Sequence, residues 1–258
     1  MRSEPVRPAG LIEAALDAKR DHGRRPFLLG IAGAQGSGKS TVARELADRF
    51  AARGLNCALL SLDDLYLSGA ERQALAERIH PLLRTRGVPG THDPARGLAL
   101  VEALGEPRPI PLPRFDKAAD EPGTPEPFTG PADIVILEGW CVGARPQDDA
   151  ALIEPVNALE REHDPDGSWR RYANDALAGP YRALFDRIDL LVLLAAPGFD
   201  IVAGWRIEQE RNAGGPMTDD QVRDFVRHYQ RITEGLLRHG PAWADLVIRL
   251  NATRRVVG

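Results

Sequence analysis

Of the 33 lysines and arginines in this chain only three are lysines, Lys19, Lys39 and Lys117. Arginine holds every other such cationic position, so the retained ammonium groups raise the first chemical question. Lys39 lies in residues 33–41, GAQGSGKST, which fits the pattern G-x-x-x-x-G-K-[ST] in full. Gly33, Gly36 and Gly38 let the backbone curl so that successive N–H groups, including those of Ala34, Gln35 and Ser37, face one anionic centre. The helix that follows adds its positive end. Lys39 then reaches the β- and γ-phosphates of a nucleotide, the Ser40 hydroxyl is placed to ligate Mg2+, and Thr41 completes the motif. A chance match is expected in roughly one sequence in several hundred, before the surrounding strand and helix are counted.

Four further groups could complete a phosphate-transfer site. In DIVILEGW, residues 133–140, Glu138 ends an apolar run and is placed to hold Mg2+ beside the phosphates, the alternative being an exposed strand-end glutamate. SLDDLY, residues 61–66, ends the preceding apolar run, and either Asp63 or Asp64 could accept the proton of an attacking hydroxyl while the other caps the next turn. The base is assigned to Asp63. Arg206 and Arg211 in WRIEQERNAGG belong to a helix that ends in a glycine pair. This reads as a lid whose guanidinium groups neutralise the transferred phosphoryl group, unless Glu208 and Glu210 pair with them locally. Arg84, Arg86, His92, Arg114 and Lys117 cluster before residue 131, where an anionic acceptor would need cations of its own, with Asp116 as the competing local partner for Arg114 and Lys117.

The elements that must position these groups follow from apolar runs alternating with longer amphipathic segments, the pattern of a parallel sheet covered by helices on both faces. Strands are expected at 27–32, 57–62, 134–137, 190–195 and 246–250. Asp93 and Pro94 read as an N-cap and first-turn proline, with Leu98, Val101 and Leu104 as the buried stripe and Gly105 as the stop. TDDQ, residues 218–221, is a capping box opening a helix that carries Val222, Phe225, Val226 and Tyr229 inward. Residues 107–131 hold eight of the 21 prolines, so this stretch is expected to run over the surface with neither helix nor strand interior.

A net charge of −4 gives no global field for nucleic acid or an anionic membrane, and so an anionic ligand must be held locally. The cysteines, Cys57 and Cys141, match no zinc or redox spacing and read as small core residues. His22, His80, His163, His228 and His239 show no ligand spacing. Residues 1–10 lack a signal peptide's apolar run and no stretch nears the roughly 18 apolar residues of a membrane span, so the expected location is cytoplasmic. No NKxD-like guanine signature follows the phosphate loop, which argues against a GTPase.

GAQGSGKST, SLDDLY and VILEGW together resemble the phosphoribulokinase, uridine kinase and pantothenate kinase group of P-loop kinases. More narrowly, RGVPGTHDP (86–94), LPRFDK (112–117), ILEGWCVGARP (136–146), PVNALE (155–160), WRIEQE (205–210) and MTDDQVRDFVRHY (217–229) resemble D-glycerate 3-kinase of the plant and fungal type and its bacterial relatives. The resemblance runs from about residue 33 to 229. It implies an α/β P-loop NTPase fold with a five-stranded, mostly parallel sheet, forming one kinase domain over 1–258. An acceptor-binding excursion is expected at about 66–131 and a lid at about 200–216. It also implies a monomer or weak homodimer that transfers the γ-phosphoryl group of ATP, with Mg2+, to the 3-hydroxyl of D-glycerate. In the wider group the first aspartate after the second strand is the base, which favours Asp63, and a P-x-x-x-D element binds acceptor, here residues 89–93. Asp93 would then be both N-cap and substrate ligand.

One departure bears on the acceptor. Eukaryotic members of that family follow the equivalent of RFDK with a longer polar loop containing Gly-Asp-Arg, whereas residues 118–131, AADEPGTPEPFTGP, contain no arginine. The readings carried forward are a small-acid kinase, a kinase of the same group acting on a nucleoside, pantothenate-like or sugar-phosphate acceptor, and a nucleotide-binding regulator without turnover.

Overall fold

The structure is a computed structural model that describes residues 7–20 and 26–257; His22 and residues 1–6 lie outside them. Nine strands and ten α-helices are formed by the described residues. Five strands make one sheet: β1 (Phe27–Gly33), β2 (Cys57–Ser61), β7 (Ile134–Gly139), β8 (Leu190–Ala195) and β9 (Leu246–Arg249). Their order is β2-β7-β1-β8-β9, and every pairing is parallel. The three inner strands are buried on both faces, which is why they read as unbroken apolar runs, while β2 at one edge alternates between buried and half-buried positions.

Helices cover both faces. On one, α1 (Pro8–Lys19), α2 (Lys39–Ala52) and α8 (Asp200–Asn212) bury Ile12, Leu16, Leu46, Phe50, Val202 and Trp205 against Leu29, Ile136 and Val192. On the other, α4 (Pro94–Ala103), α6 (Ser168–Ala178) and α7 (Pro180–Phe185) pack Val101, Leu177, Tyr181 and Leu184 over Leu28, Val135 and Leu137. A smaller cluster of Leu75, Leu83, Val88 and Trp169 joins α3 (Gly69–Arg78) to α6. The short α5 (Ala158–His163) precedes α6. Cys141 is buried and Cys57 half-buried, and both are free. Burial pushes the Cys57 thiol up to about 12, so it is un-ionised at neutral pH. No helix among the described residues is long and apolar enough to cross a membrane.

The proline-rich stretch departs from expectation. It forms two antiparallel ribbons, β3 (Pro109–Leu112) with β6 (Glu126–Thr129) and β4 (Phe115–Asp116) with β5 (Glu121–Pro122). In a two-stranded ribbon each strand has a free edge, so alternate residues need no N–H for pairing and proline is tolerated there. Pro109 and Pro111 face out, while Ile110 and Leu112 are buried. The helix opened by Thr218 is also shorter than its sequence pattern: α9 is Asp219–Arg227, and the buried Tyr229 lies in the turn before α10 (Gln230–His239). Phe225 is only half-buried.

Candidate active site

The phosphate loop leaves the carboxyl end of the central strand. Gly36 and Gly38 take φ of 72° and 89°, left-handed values that disfavour a side chain. A Cβ on Gly36 would also come within 2.7 Å of Trp205, so α8 rests directly on the loop. Lys39 opens α2 and lines a cavity with Ser40, Thr41, Arg44 and Lys117. Arg254, from the C-terminal segment, reaches the same cavity. It donates from Nε to the Gly36 carbonyl at 2.5 Å, pairs with Glu208 at 2.7 Å and lies over the Trp205 ring.

Parallel register places Glu138 of β7 beside Ile31 of β1 and Ser61 of β2. Glu138 is only 5% exposed; its Oε1 accepts a 2.8 Å bond from Ser40 Oγ, and its buried Oε2 has no partner. A buried carboxylate oxygen without a donor, next to the hydroxyl that ends the phosphate loop, suits a hard divalent cation. No group of three or more His, Cys, Asp or Glu that could hold a metal occurs among the described residues.

The two aspartates after β2 have separate surroundings. Ser61 caps the 3-10 turn Leu62–Leu65, and Asp64 completes the capping box, accepting from Ser61 N at 3.4 Å. Asp64 also accepts from Phe115 N at 3.1 Å and pairs with Arg114 at 3.2 Å. Asp63 instead meets Lys117, with Nζ to Oδ2 at 2.6 Å. Burial pushes the Asp63 carboxyl up, but Lys117 and Lys39 together outweigh it and hold the group at about 2. Asp63 is therefore an ionised, half-buried acceptor beside the phosphate cavity.

The loop 86–93 forms the other wall. Gly87 has φ of 143°, and a Cβ there would strike the Tyr229 hydroxyl; Trp140 Nε1 donates to the Gly87 carbonyl at 3.0 Å. His92 is buried, stacked on Tyr66 with ring centroids 4.2 Å apart, and its Nδ1 lies 2.6 Å from the Tyr181 hydroxyl. That hydroxyl also accepts from Gly90 N at 3.0 Å, and the other ring nitrogen of His92, Nε2, is buried without a partner. Burial lowers the His92 pKa to about 3, against the pull of Asp63, so the ring is neutral at neutral pH. Asp93 caps α4 by accepting from Arg96 N at 2.9 Å.

The structure distributes the remaining candidates unevenly. Arg86 pairs with Asp120, whose other oxygen accepts from the fully buried Arg72 at 2.8 Å. Arg72, Arg84, Arg86 and Arg206 line one cavity with Asp120. Arg206 reaches it while paired with Glu210 at 2.6 Å, the local pairing weighed from sequence. Arg114 is not brought to the acceptor side with Lys117. It grips Glu126 across the ribbon at 2.8 Å and Asp64 at 3.2 Å, and the second contact holds the ribbon to the turn after β2. Arg211 is not at the phosphates either. It is exposed and pairs with Asp219 of α9 at 2.6 Å, while Glu208, Gln209 and Asn212 of the same helix line the phosphate cavity. Sequence reading missed Arg44, Arg72, Asp120 and Arg254; Arg44 lies one helical turn after Ser40, whose carbonyl it reaches at 3.1 Å, whereas the other three are brought in only by non-local contacts.

A phosphate loop after the central strand and a carboxylate near the end of the adjacent strand, both at the carboxyl end of a parallel sheet, define a P-loop nucleotide-binding fold. The Zeta toxin family model matches residues 12–66, the segment from α1 through the phosphate loop to the turn after β2. An uncharacterized kinase of Schizosaccharomyces pombe, mug58, is 35% identical over 80% of this chain and 79% of its own length. The chloroplastic D-glycerate 3-kinase of Arabidopsis thaliana is 29% identical over 85% of this chain, which spans about half of that protein. The solved structure of D-glycerate 3-kinase from Cryptococcus neoformans superposes with a TM-score of 0.78 at 30% identity, covering 97% of this chain and 96% of that one. The chain belongs to this family of P-loop kinases and is an ATP-dependent phosphotransferase.

Proposed function

We propose that this kinase phosphorylates a small hydroxy acid, with D-glycerate the best candidate and its 3-hydroxyl the acceptor. The observation that carries the reading is the placement of Asp63. It is an ionised carboxylate paired with Lys117, which also lines the phosphate cavity, and it is near enough to Lys39 and His92 for its pKa to be held down by them, while Arg86 lines a second cavity with Arg72 and Arg206. The names of the Arabidopsis and Cryptococcus relatives support glycerate as that acid.

The proposed roles follow from the surroundings. Backbone N–H groups of residues 33–41 and the Lys39 ammonium bind the phosphates of ATP. Ser40 and Glu138 would hold Mg2+, which when bound neutralises charge on the phosphate oxygens. Asp63 takes the proton of the attacking hydroxyl, and its ionisation at neutral pH leaves it ready to do so. Arg86, His92, Asp93 and Lys117 face the acceptor, and Arg206 from α8 closes the charge balance on the far side. Residues 1–258 act as one kinase domain, with the acceptor excursion at 66–131 and the lid at about 200–216. The enzyme works as a monomer or weak homodimer in the cytoplasm. Arg114 and Arg211 are left out of the chemistry, since each is engaged elsewhere.

The decisive experiment is ADP release measured across D-glycerate, L-glycerate, uridine, pantothenate and ribulose 5-phosphate. Turnover with D-glycerate above all others is expected. Turnover with a nucleoside alone would refute the hydroxy-acid reading, and no turnover with any acceptor would favour a nucleotide-binding regulator.

A further inference from the structure

The tip of the β4–β5 ribbon, residues 117–120, makes two contacts of opposite sign. Lys117 places its ammonium on Asp63, the carboxylate assigned as base. Three residues on, Asp120 places its carboxylate between two arginines, one oxygen taken by Arg86 and the other by Arg72 Nη2. Two-point capture of a carboxylate by guanidinium groups is how proteins recognise carboxylate ligands in general. The tip is a defined turn: Asp116 Oδ1 accepts from Ala118 N and Ala119 N at 2.8 and 3.0 Å, and Asp120 adopts a left-handed φ of 58°. Asp120 is one of two non-glycine residues with positive φ among those described. Arg72 is 1% exposed, yet its partner carboxylate is 47% exposed, so the cation is built into the wall and the anion comes from solvent's side.

We infer that Asp120 is a specificity-determining residue, a tethered carboxylate that occupies the Arg72–Arg86 cradle until a free carboxylate replaces it. The inference rests on the hydroxy-acid reading of the same site. Lys117 holds one of the two Asp63 oxygens, Oδ2, that a hydroxyl would approach, and the Arg72–Arg86 cradle that would take an acceptor carboxylate is held by Asp120. One small molecule carrying a hydroxyl and a carboxylate thus substitutes for both arms of the tip. An acceptor without an anionic group would displace Lys117 but leave Asp120 in place, and would gain nothing from the cradle. Both displaced contacts have a solvent-exposed partner, Lys117 at 59% and Asp120 at 47%, and exposed ion pairs yield readily to a competing ligand.

The test compares wild type with Asp120→Asn, which keeps an oxygen for Arg72 but removes the competing charge. A ligand that must first displace a tethered rival binds in proportion to the open fraction, so the variant's KM for D-glycerate is expected to fall about three- to tenfold. Its KM for ATP and its kcat should hold within about twofold. Malonate, an unreactive dicarboxylate titrated calorimetrically, should bind the variant more tightly by a similar factor. A raised D-glycerate KM or weakened malonate binding would overturn the inference by showing that Asp120 assists the ligand; equal affinities, or no malonate binding to either protein, would overturn it as well. In wild type, hydrogen exchange at the amides of residues 117–121 should quicken when malonate is added, and slower exchange would count against release of the tip, whether or not the variant folds. If wild type fails to turn over D-glycerate while malonate still binds Asp120→Asn more tightly, the hydroxy-acid kinase reading fails and the tethered carboxylate stands. Turnover of D-glycerate with no difference between the two proteins is the reverse case.

Discussion

Replacing Lys117 by methionine tests the centre of the site, because one ammonium serves two neighbours there. Its Nζ lies 2.6 Å from Asp63 and its side chain lines the cavity that holds Lys39 and Ser40. A fully enclosed donor aimed at developing charge is worth about 10²–10³ in rate. Lys117 is 59% exposed, so solvent screening cuts this to about 10- to 100-fold in kcat, roughly 1.4–2.8 kcal/mol. The second effect has a definite sign. Burial pushes the Asp63 carboxyl up, and Lys117 is the largest of the influences holding it down at about 2. Without that ammonium the pKa rises, and since the base must be ionised, the acid limb of kcat/KM moves to higher pH, by about 1–2 units. The assay is initial-rate ADP release from about pH 2.5 to 8 at saturating and limiting D-glycerate, with ATP KM as the control. A variant with unchanged kcat and an unmoved acid limb would refute both roles. One that changed only the acceptor KM would leave Lys117 as a carboxylate ligand and nothing more.

Glu138→Gln removes the charge from a buried oxygen that has no protein donor, so kcat should fall by at least about 10² and the Mg2+ concentration for half-maximal rate should rise; a Mg2+ titration with unchanged midpoint would refute the assignment. Arg211→Ala should alter kcat/KM by less than about twofold because its pairing with Asp219 is an exposed one, whereas Arg206→Ala should cost at least about tenfold toward the acceptor; equal effects in the same assay would mean that α8 presents a different face. Glu160→Gln should lower stability by about 3–5 kcal/mol in urea unfolding, since it strips the carboxylate from the buried Arg231, which it meets at 2.6 Å; a loss under about 1 kcal/mol would show that the pair is not enclosed.

The parts of this molecule legible in its sequence are those fixed by local rules. Burial on both faces makes β1, β7 and β8 continuous apolar runs, and a phosphate cradle needs glycine at Gly36 and Gly38 whatever lies around it. Asp93 and Thr218 announce their helices because capping is a contact over three residues. Local rules cannot separate Asp63 from Asp64, since both follow β2; only the ribbon, delivering Phe115 N and Arg114 to one and Lys117 to the other, does so. Arg114 and Lys117 likewise look equivalent until Glu126 is seen to hold the first across the ribbon. Arg211 misleads for a similar reason: the approach of α9 turns it onto Asp219, and the packing of one helix against the next is not written in local spacing.

Nucleotide and acceptor chemistry are therefore built on elements with different freedom to change. The phosphate loop, Glu138 and the turn carrying Asp63 sit at one edge of a rigid sheet, and a shift in any of them disturbs the others. The proposed acceptor wall includes a ribbon whose strands tolerate proline because each has a free edge, and its tip is held by Lys117 on Asp63 and by Arg72 and Arg86 on the Asp120 carboxylate and on the carbonyls of Asp120 and Lys117. A change in the charges at residues 117–120 can thus alter which anion is accepted while leaving the phosphate cradle intact. Lys117 alone belongs to both sets, and that is a physical reason for an ammonium where this chain otherwise uses arginine. A compact charge on a flexible stem can leave the base for the phosphate oxygens, whereas a planar guanidinium tends to lock in a two-point pair.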